Sequence, residues 1–316
     1  MTTVKLIIDG NSLGHAAQAA KKLHVGSNET QAIYGFLRTM RGLMERYPQG
    51  DPVVLWDGRS WRHDAFETYK SARDKNETAA DQQKQAEKAA FAKQRPHIKT
   101  ALKLLGVPQL VVSNYEADDL AGVLVERAER AGDTVLLVSG DQDWIQLIGP
   151  KVVWFDPIRD KTMRPKDLFD KYGVDTPAKF LQMKALQGDD GDSLPGVGGI
   201  GPKGAAELLM TFGSVTDMLN LSLEGGLPAK MPKKILDFID CAEKQEIFRR
   251  NMRLMDLRSG PHRPAPARPL LTKEPIDPEK FRVFCTRLMF NRFLTAFDEW
   301  IFPFHRAVNR IQEMAA

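Results

Sequence analysis

Residues 188–209 read GDDGDSLPGVGGIGPKGAAELL, a run of closely spaced glycines behind a cluster of acids. The glycines from Gly196 to Gly201 match the G-x-G-x-x-G spacing of a dinucleotide-binding turn. Such a turn follows an apolar strand and precedes an acid by about 20 residues. In this chain polar, turn-forming residues precede the glycines, so no strand leads into the turn. The sequence context therefore excludes a dinucleotide site.

The same stretch predicts a tight glycine turn and a helix that begins near Pro202, because proline is favoured in the first helical turn. Glycines let backbone N–H groups approach an anion closely, and the helix N-terminus adds positive charge. Such a turn holds a phosphate backbone without reading base sequence. It is typical of helix–hairpin–helix elements in DNA-binding proteins. The predicted contact residues are Gly196, Gly198, Gly199, Ile200, Gly201 and Lys203.

Upstream of this stretch, short apolar strands alternate with longer helical segments. The strands are predicted at 4–9, 53–57, 109–113, 134–139 and 151–155, and the helices between them at 29–46, 82–105 and 116–131. This alternation is typical of an α/β fold with a parallel sheet. Further helices are predicted at 178–187, 202–220 and 235–256.

Acids stand at or after the ends of the first four predicted strands. They are Asp9, Asp57, Glu116, Asp118, Asp119, Asp141 and Asp143. In an open α/β sheet the carboxyl ends of the strands face one crevice, where ligands bind. Clustered carboxylates repel one another, and Mg²⁺ or Mn²⁺ relieves that repulsion by taking carboxylate oxygens as ligands. The sequence therefore predicts a divalent-metal site at this crevice.

Residues 59–100 interrupt the strand and helix pattern and are largely polar. From Lys84 to Lys103 six bases stand against one acid, which indicates an electropositive cover over an anionic substrate. Trp61, Phe66 and Tyr69 either stack on bases or form a small local core, and the sequence does not separate these alternatives.

Composition narrows the class of protein. The chain has 316 residues and a net charge of +4, with a pI near 8.9, which favours an anionic partner. No run approaches the roughly 18 apolar residues of a membrane helix, and the N-terminus does not resemble a signal peptide. We therefore expect a cytoplasmic protein with no membrane contact. Cys241 and Cys285 are expected to be reduced thiols.

Gly10–Gly14 matches the G-x-S-x-G pattern of a hydrolase nucleophile elbow. A catalytic triad also needs a downstream histidine at a strand end, and no histidine follows an apolar strand. We therefore expect Ser12 to be the N-cap of the next helix. The proline-rich segment 259–269 is expected to be a connector, followed by helices that pack on the main body.

Six motifs occur in order: VKLIIDGNSL, VVLWDG, YKSAR, YEADDLAG, SGDQDWIQL and GDDGDSLPGVGGIGPKGAAELL. Together they resemble the 5′ nuclease or flap endonuclease superfamily, which includes the N-terminal domain of bacterial DNA polymerase I and stand-alone phage 5′→3′ exonucleases. The resemblance implies a PIN-like α/β nuclease core at 1–182 with a helical arch at about 59–95. It also implies a helix–hairpin–helix (H3TH) region at 183–258 and C-terminal helices, behind the connector, within 259–316.

The resemblance also implies roles for matching positions. Asp9, Asp57, Glu116 and Asp118 would hold a first Mg²⁺, with Asp118 shared, and Asp119, Asp141, Asp143, Asp189 and Asp192 would build a second site. Tyr69, Lys70 and Arg73 match the base of the arch and would contact DNA, and Lys70 and Arg73 would also act on the scissile phosphate. The glycine turn would bind K⁺ through backbone carbonyls.

The implied activity is two-metal hydrolysis of phosphodiester bonds by a monomer in a bacterial or phage-infected cell. Its substrate would be branched or nicked duplex DNA with a 5′ end or flap, or an RNA–DNA hybrid. Two alternatives remain open: a PIN-like ribonuclease and a non-catalytic helix–hairpin–helix DNA-binding protein. The sequence does not separate endonuclease from exonuclease action.

Overall fold

A computed structural model of the chain describes residues 4–71, 78–258, 270–272 and 274–315. Arg73 and the proline-rich connector at 259–269 lie outside the described residues. The predicted arch at about 59–95 is described except for residues 72–77.

Strands of the described residues form one large sheet and two small ribbons. In chain order they are β1 (Val4–Asp9), β2 (His24–Val25), β3 (Asn28–Glu29), β4 (Gly50–Trp56), β5 (Gln109–Val111), β6 (Thr134–Val138), β7 (Val152–Asp156), β8 (Lys161–Met163), β9 (Gly188–Asp189), β10 (Leu194–Pro195) and β11 (Leu270–Thr272). The large sheet has the order β11-β5-β4-β1-β6-β7-β8. Its five inner strands are parallel, and β8 and β11 pair antiparallel at the edges. The predicted α/β class is confirmed.

Helices cover both faces of the sheet and build a separate helical region. They are α1 (Gly10–Gln18), α2 (Gln31–Arg46), α3 (Arg62–Ala65), α4 (Ala79–Leu104), α5 (Ala117–Ala131), α6 (Leu168–Tyr172), α7 (Pro177–Gln187), α8 (Pro202–Phe212), α9 (Val215–Leu223), α10 (Lys233–Ile239), α11 (Ala242–Met255), α12 (Pro278–Arg287), α13 (Asn291–Thr295) and α14 (Phe297–Ala315). Short 3₁₀ turns occupy Gln142–Leu147, Pro165–Asp167 and Asp190–Asp192.

Two of the predicted helices are wrong in extent. The segment at 202–220 forms α8 and α9, because Gly213 takes a left-handed φ of 83° and ends the first helix. The segment at 235–256 forms α10 and α11, which are separated at Asp240 and Cys241. The domain boundary predicted at 182 falls inside α7.

The central strand β1 shows why the sheet is buried on both faces. Its side chains alternate, so Ile7 joins the hydrophobic cluster under α5 while Leu6 and Ile8 join the cluster under α1 and α2. The second cluster also contains Phe281 and Phe304 of the C-terminal helices. Apolar runs of this kind are characteristic of parallel strands between two helical layers.

Among the described residues, no helix combines the length and apolar character needed to cross a membrane. Cys241 and Cys285 are both free thiols.

Candidate metal centre

A crevice of about 740 Å³ opens at the carboxyl ends of β1, β4 and β6. Seven aspartates line it: Asp9, Asp57, Asp118, Asp141, Asp143, Asp189 and Asp192. The first five follow strands or open α5, whereas the last two belong to the stretch that precedes the glycine turn. The fold therefore brings together acids that are far apart in sequence.

Asp9 is the N-cap of α1 and is buried at the end of the central strand. Its Oδ1 accepts a hydrogen bond from the backbone N–H of Ser12 at 2.9 Å, and its Oδ2 accepts one from the Ser139 hydroxyl at 2.8 Å. The prediction that Ser12 caps the helix is therefore wrong, because the side chain one turn earlier does so. The Ser12 hydroxyl instead accepts from the backbone N–H of Gly140 at 2.9 Å.

The other strand-end acids are also held by local hydrogen bonds. Asp57 Oδ1 accepts from the backbone N–H of Ala117 at 2.8 Å, and Asp118 Oδ1 accepts from the Trp144 indole at 2.6 Å. Asp141 caps the following 3₁₀ turn. These bonds fix one oxygen of each carboxylate and orient the side chain.

Burial and mutual repulsion raise the pKa of several crevice acids. Burial is the main cause of a pKa of about 6 for Asp9 and about 7 for Asp141, where Asp143 adds repulsion. Burial and the charge of Asp141 also hold the pKa of Asp118 well above its usual range. A bound cation would offset this repulsion and favour the ionised form of these carboxylates.

Lys184 on α7 lies between two of the acids and was missed by sequence reasoning. Its Nζ lies 3.1 Å from Asp143 and 2.9 Å from Asp189. Burial would lower the pKa of Lys184, but the two carboxylates outweigh it and raise that pKa. The sequence did contain an indication of this pairing, because Lys184 stands five residues before Asp189, near the end of a predicted helix.

Glu116 is buried behind the crevice in an ionic cluster with three partners. Its Oε1 pairs with Lys70, and its Oε2 accepts from Arg62 at 3.1 Å and from the Tyr69 hydroxyl at 2.8 Å. Burial alone would raise the pKa of Glu116, but Lys70 and Arg62 lower it to about 2. Glu116 therefore carries a charge that the protein itself balances.

Two predicted site residues have other roles in the structure. Asp119 is fully buried, and both of its oxygens accept from the Arg62 guanidinium, at 2.8 and 2.9 Å. It therefore lies apart from the crevice acids with which it was predicted to build the second metal site. Tyr69 is 3% exposed and Trp61 is 6% exposed, so these rings form core and cannot stack on bases. Phe66 is half-buried under the Arg250 guanidinium.

Lys70 lines the crevice in an unusual backbone conformation. Its φ is +60°, a left-handed value that costs a non-glycine residue about 1–2 kcal/mol. The conformation is held at both ends, because the backbone N–H of Lys70 donates to the Asp192 carbonyl at 2.9 Å and its Nζ pairs with Glu116. The strain places an ammonium group among the acids.

The basic run at 84–103 covers the crevice only in part. Lys88 and Arg95 line it, together with His15 and Phe91. Lys99 instead lies over the Trp56 ring at 4.9 Å, and Lys103 pairs with Glu274 at 3.1 Å. Lys88 and Arg95 of α4 therefore form a basic wall of the crevice that the acids line.

The glycine turn lies between the β9–β10 ribbon and α8. Gly198 and Gly199 have φ values of 79° and 78°, which favour glycine. A side chain at Gly196 would lie 2.1 Å from the Gln187 carbonyl oxygen. Ile200 is buried and belongs to the hydrophobic core, whereas Lys203 is exposed.

Lys234 is a further base at this turn. A side chain at Gly199 would meet its Cδ at 3.3 Å, and Lys234 is exposed. Lys234 lies in the first turn of α10 and is not among the contact residues predicted from the sequence.

Within the part of the chain that the structure describes, no group of three acid, histidine or cysteine side chains is already arranged to coordinate one metal ion. The donor set still fits a hard divalent cation, because it consists of carboxylates with raised pKa values in one crevice. Lysines 70 and 184 balance part of the charge.

Comparison with known proteins assigns the chain to a family. Residues 4–173, more than half of the chain, match the family model described as 5′-3′ exonuclease, N-terminal resolvase-like domain. Residues 175–258 match 5′-3′ exonuclease, C-terminal SAM fold. The chain belongs to the 5′-3′ exonuclease family. The resemblance seen in the motifs is thus confirmed.

Relatives of this 5′-3′ exonuclease family member include both long and short proteins. DNA polymerase I from Thermus filiformis is 37% identical over 234 residues, which are 73% of this chain and 26% of that protein. A 5′-3′ exonuclease from Aquifex aeolicus is 36% identical over 192 residues, 60% of this chain and 62% of that one. The chain spans about a quarter to a third of the length of the curated DNA polymerases it matches.

A solved structure shows the same fold. The bacteriophage T5 D15 flap endonuclease, in a pseudo-enzyme–product complex with DNA and metal ions, matches with a TM-score of 0.65 and 22% identity. The match covers 97% of this chain and 99% of that one. The likeness includes the helical region after the sheet, so the predicted H3TH element is confirmed as part of the fold.

Proposed function

We propose that this family member is a divalent-metal-dependent 5′ nuclease that hydrolyses phosphodiester bonds of DNA, as a flap endonuclease, a 5′→3′ exonuclease or both. The observation that carries the proposal is the meeting of seven aspartates in one crevice with a basic wall. Acids alone would repel a nucleic-acid backbone, so a binding protein without metal has no use for them. A metal-dependent nuclease needs such acids as ligands for its divalent metal ions.

Two groups of carboxylates support two Mg²⁺ ions, for which Mn²⁺ can substitute. The first group is Asp9, Asp57, Asp118 and Glu116, and the second is Asp141, Asp143, Asp189 and Asp192, with Asp118 between the groups. Asp119 is excluded because it is fully buried and Arg62 binds both of its oxygens, whereas Glu116 has one oxygen, Oε1, turned toward Lys70 in the crevice. Two such ions, when bound, supply an activated water and stabilise the leaving oxygen.

The protein's own side chains would hold the substrate. Lys70 lies in the crevice and would neutralise charge that develops on the scissile phosphate. Lys88 and Arg95 on α4 would attract the strand that reaches the crevice. Arg73 lies outside the described residues, and its role at the base of the arch rests on the motif that contains it.

The glycine turn would grip the duplex portion of the same substrate. Backbone N–H groups of the turn, Lys203 and Lys234 would contact phosphates, and backbone carbonyls of the turn would hold K⁺. The substrate class is therefore branched or nicked duplex DNA with a 5′ end or flap, or an RNA–DNA hybrid. A single chain contains every group that this arrangement needs, so we propose a monomer.

The test uses a 5′-flap duplex labelled at its 5′ end, incubated with Mg²⁺ and resolved by product length. Asp189→Asn is compared with Asp190→Asn, since Asp190 is exposed and does not line the crevice. We expect Asp189→Asn to lower kcat at least ~100-fold, because it removes a metal-binding charge, and to leave DNA binding in Ca²⁺ intact. Asp190→Asn should cut at the wild-type rate.

The products and a parallel RNA substrate separate the alternatives. One long fragment released at the junction indicates endonuclease action, and mono- and dinucleotides indicate exonuclease action. Preferential cleavage of single-stranded RNA would favour a PIN-like ribonuclease. Absence of any product from the wild type with Mg²⁺ or Mn²⁺ would contradict the proposed function.

A further inference from the structure

Arg62 is a buried base that joins three elements behind the crevice. Its side chain is 3% exposed. Its guanidinium donates to Asp119 at 2.8 and 2.9 Å, to Glu116 at 3.1 Å and to the Leu254 carbonyl oxygen at 2.6 Å. The two acids open α5, whereas Leu254 lies in the last turn of α11. Arg62 itself begins α3.

These bonds determine which oxygen of Glu116 can face the crevice. Arg62 and Tyr69 both donate to Oε2, so Oε1 is the atom turned toward Lys70, which lines the crevice. Arg62 also acts through Asp119, whose Oδ2 accepts from the backbone N–H of Glu116 at 3.1 Å. The orientation of Glu116 is thus held at its backbone and at its side chain by groups bound to Arg62.

The bond to Leu254 ties the same cluster to the helical region. Leu254 is near the C-terminus of α11, where backbone carbonyls lack partners within the helix. One turn earlier, Asn251 donates to the carbonyls of Ala185 and Pro195, and Pro195 immediately precedes the glycine turn. Helix α11 therefore touches both the start of the turn and the ionic cluster.

We propose that Arg62 is a positioning residue that directs Glu116 Oε1 toward the metal centre and joins that carboxylate to α11. The effect of Arg62 on catalysis rests on the proposed function. This positioning role requires the planar guanidinium group with its several N–H donors. Arg62 binds two carboxylates at the start of α5 and one backbone carbonyl on α11 at the same time. A lysine keeps the charge but is a single point donor and cannot span them.

The test compares Arg62→Lys with a matched control, Arg258→Lys. Arg258 also binds a carboxylate and a backbone carbonyl, those of Glu129 and Leu147, at 2.8 to 3.1 Å, and follows α11 closely. It does not line the crevice. The readouts are kcat and KM for the flap duplex across a Mg²⁺ titration, and Mn²⁺ binding without DNA by calorimetry. Thermal unfolding reports whether each variant folds.

We expect Arg62→Lys to lower kcat about 10- to 100-fold, as loss of a group that orients a metal ligand usually does, with KM nearly unchanged. Its Kd for Mn²⁺ should rise at least about fivefold for the same reason. Arg258→Lys should stay within about twofold of wild type on both measures, because it leaves the cluster around Glu116 in place.

Equal losses in both variants, or wild-type Mn²⁺ binding in Arg62→Lys, would overturn the inference. If Arg62→Lys does not fold, Tyr69→Phe removes the other donor to Glu116 Oε2, and unchanged Mn²⁺ affinity in that variant overturns the inference equally. Failure of the wild type to cut DNA would count against the proposed function instead. The Mn²⁺ titrations still decide the role of Arg62 in that case.

Discussion

At the scale of single residues, Lys184 shows how the crevice tolerates its negative charge. Its ammonium group lies within 3.1 Å of both Asp143 and Asp189. Burial raises the pKa of Asp143, and the lysine opposes that effect. For Asp189 the lysine outweighs burial and lowers the pKa. A cation built into the protein thus offsets part of the negative charge of the site.

Lys184→Met should therefore destabilise the protein and make it more dependent on metal. Loss of the ammonium leaves two partly buried carboxylates without their partner, which we expect to cost about 1–2 kcal/mol of unfolding free energy. Mn²⁺ should recover more stability in the variant than in wild type, because ligands that bind only the folded state stabilise it. Thermal unfolding with and without Mn²⁺ measures both effects.

The control for this change is Lys179→Met on the same helix. Lys179 pairs with Asp175 at 2.9 Å, away from the crevice. An equal loss in the control, or no added response to Mn²⁺ in Lys184→Met, would refute the role given to Lys184.

At the scale of elements, the glycine turn depends on backbone conformations that other residues avoid. Gly198 has a φ of 79°, and no atom of the described residues lies within 4 Å of a Cβ placed on it. Substitution there meets no steric obstacle, so its cost comes from the backbone alone. The turn is therefore a conformational requirement of the sequence, separate from packing.

Gly198→Ala is expected to lower the unfolding free energy by about 1 kcal/mol, because alanine disfavours positive φ. Gly204→Ala is the matched control, since it lies inside α8 with its nearest neighbour at 3.9 Å. That change should be neutral or stabilising by up to about 1 kcal/mol, because alanine favours helix. Urea unfolding compares the two, and a stable Gly198→Ala variant would show that the turn does not need glycine.

Lys203 at the start of α8 is expected to contact a phosphate of the duplex. Lys203→Ala should weaken duplex binding about equally for all sequences and reduce the slope of log K against log salt by about 1. Binding titrations at several salt concentrations measure the slope. Lys280→Ala, on α12, should leave the slope unchanged, because Lys280 pairs with Asp277 and is not among the predicted contact residues. An unaltered slope in Lys203→Ala would remove this lysine from the interface.

At the scale of the whole molecule, helix α11 joins the helical region to the sheet. Its Asn251 is fully buried and donates to the carbonyls of Ala185 at 2.9 Å and Pro195 at 3.0 Å. Beyond its C-terminus, the Leu257 carbonyl lies so close to Gly122 of α5 that a Cβ there would be 2.0 Å away. The close approach requires glycine on α5 and fixes where the helical region sits.

Asn251→Ala should lower the unfolding free energy by about 1–3 kcal/mol, because it removes the donor from the buried Ala185 carbonyl, whereas the Pro195 carbonyl still accepts from Arg250. Asn220→Ala on α9 is the control, since Asn220 is exposed and its loss should change stability by less than about 0.5 kcal/mol. Chemical denaturation of both variants tests this. Similar stabilities would mean that water replaces the amide and that α11 is not held by it.

Several features could be predicted because their signals are local. The strand and helix alternation, the start of α8 at Pro202 and the acids after the strands depend on residues a few positions apart. The errors arose where competing local signals were close. Asp9 and Ser12 are both good N-caps, and Asp9 is chosen because it ends the strand. Gly213 ends a helix that apolar spacing alone would continue.

By itself, then, the sequence determined the α/β class, the acids at the strand ends and the glycine turn, since each follows from short-range pattern and backbone chemistry. Only the tertiary structure decided which charges meet. Arg62 and Asp119 are 57 residues apart, and Tyr69 and Asp192 are 123 apart. Their pairing depends on how α5, the 3₁₀ turn at Asp190–Asp192 and the first part of the predicted arch, which contains Arg62 and Tyr69, pack together. Burial then makes an expected metal ligand, Asp119, a partner for arginine and decides that Tyr69 is core, an alternative that the sequence had left open, because buried charges and hydroxyls must find partners.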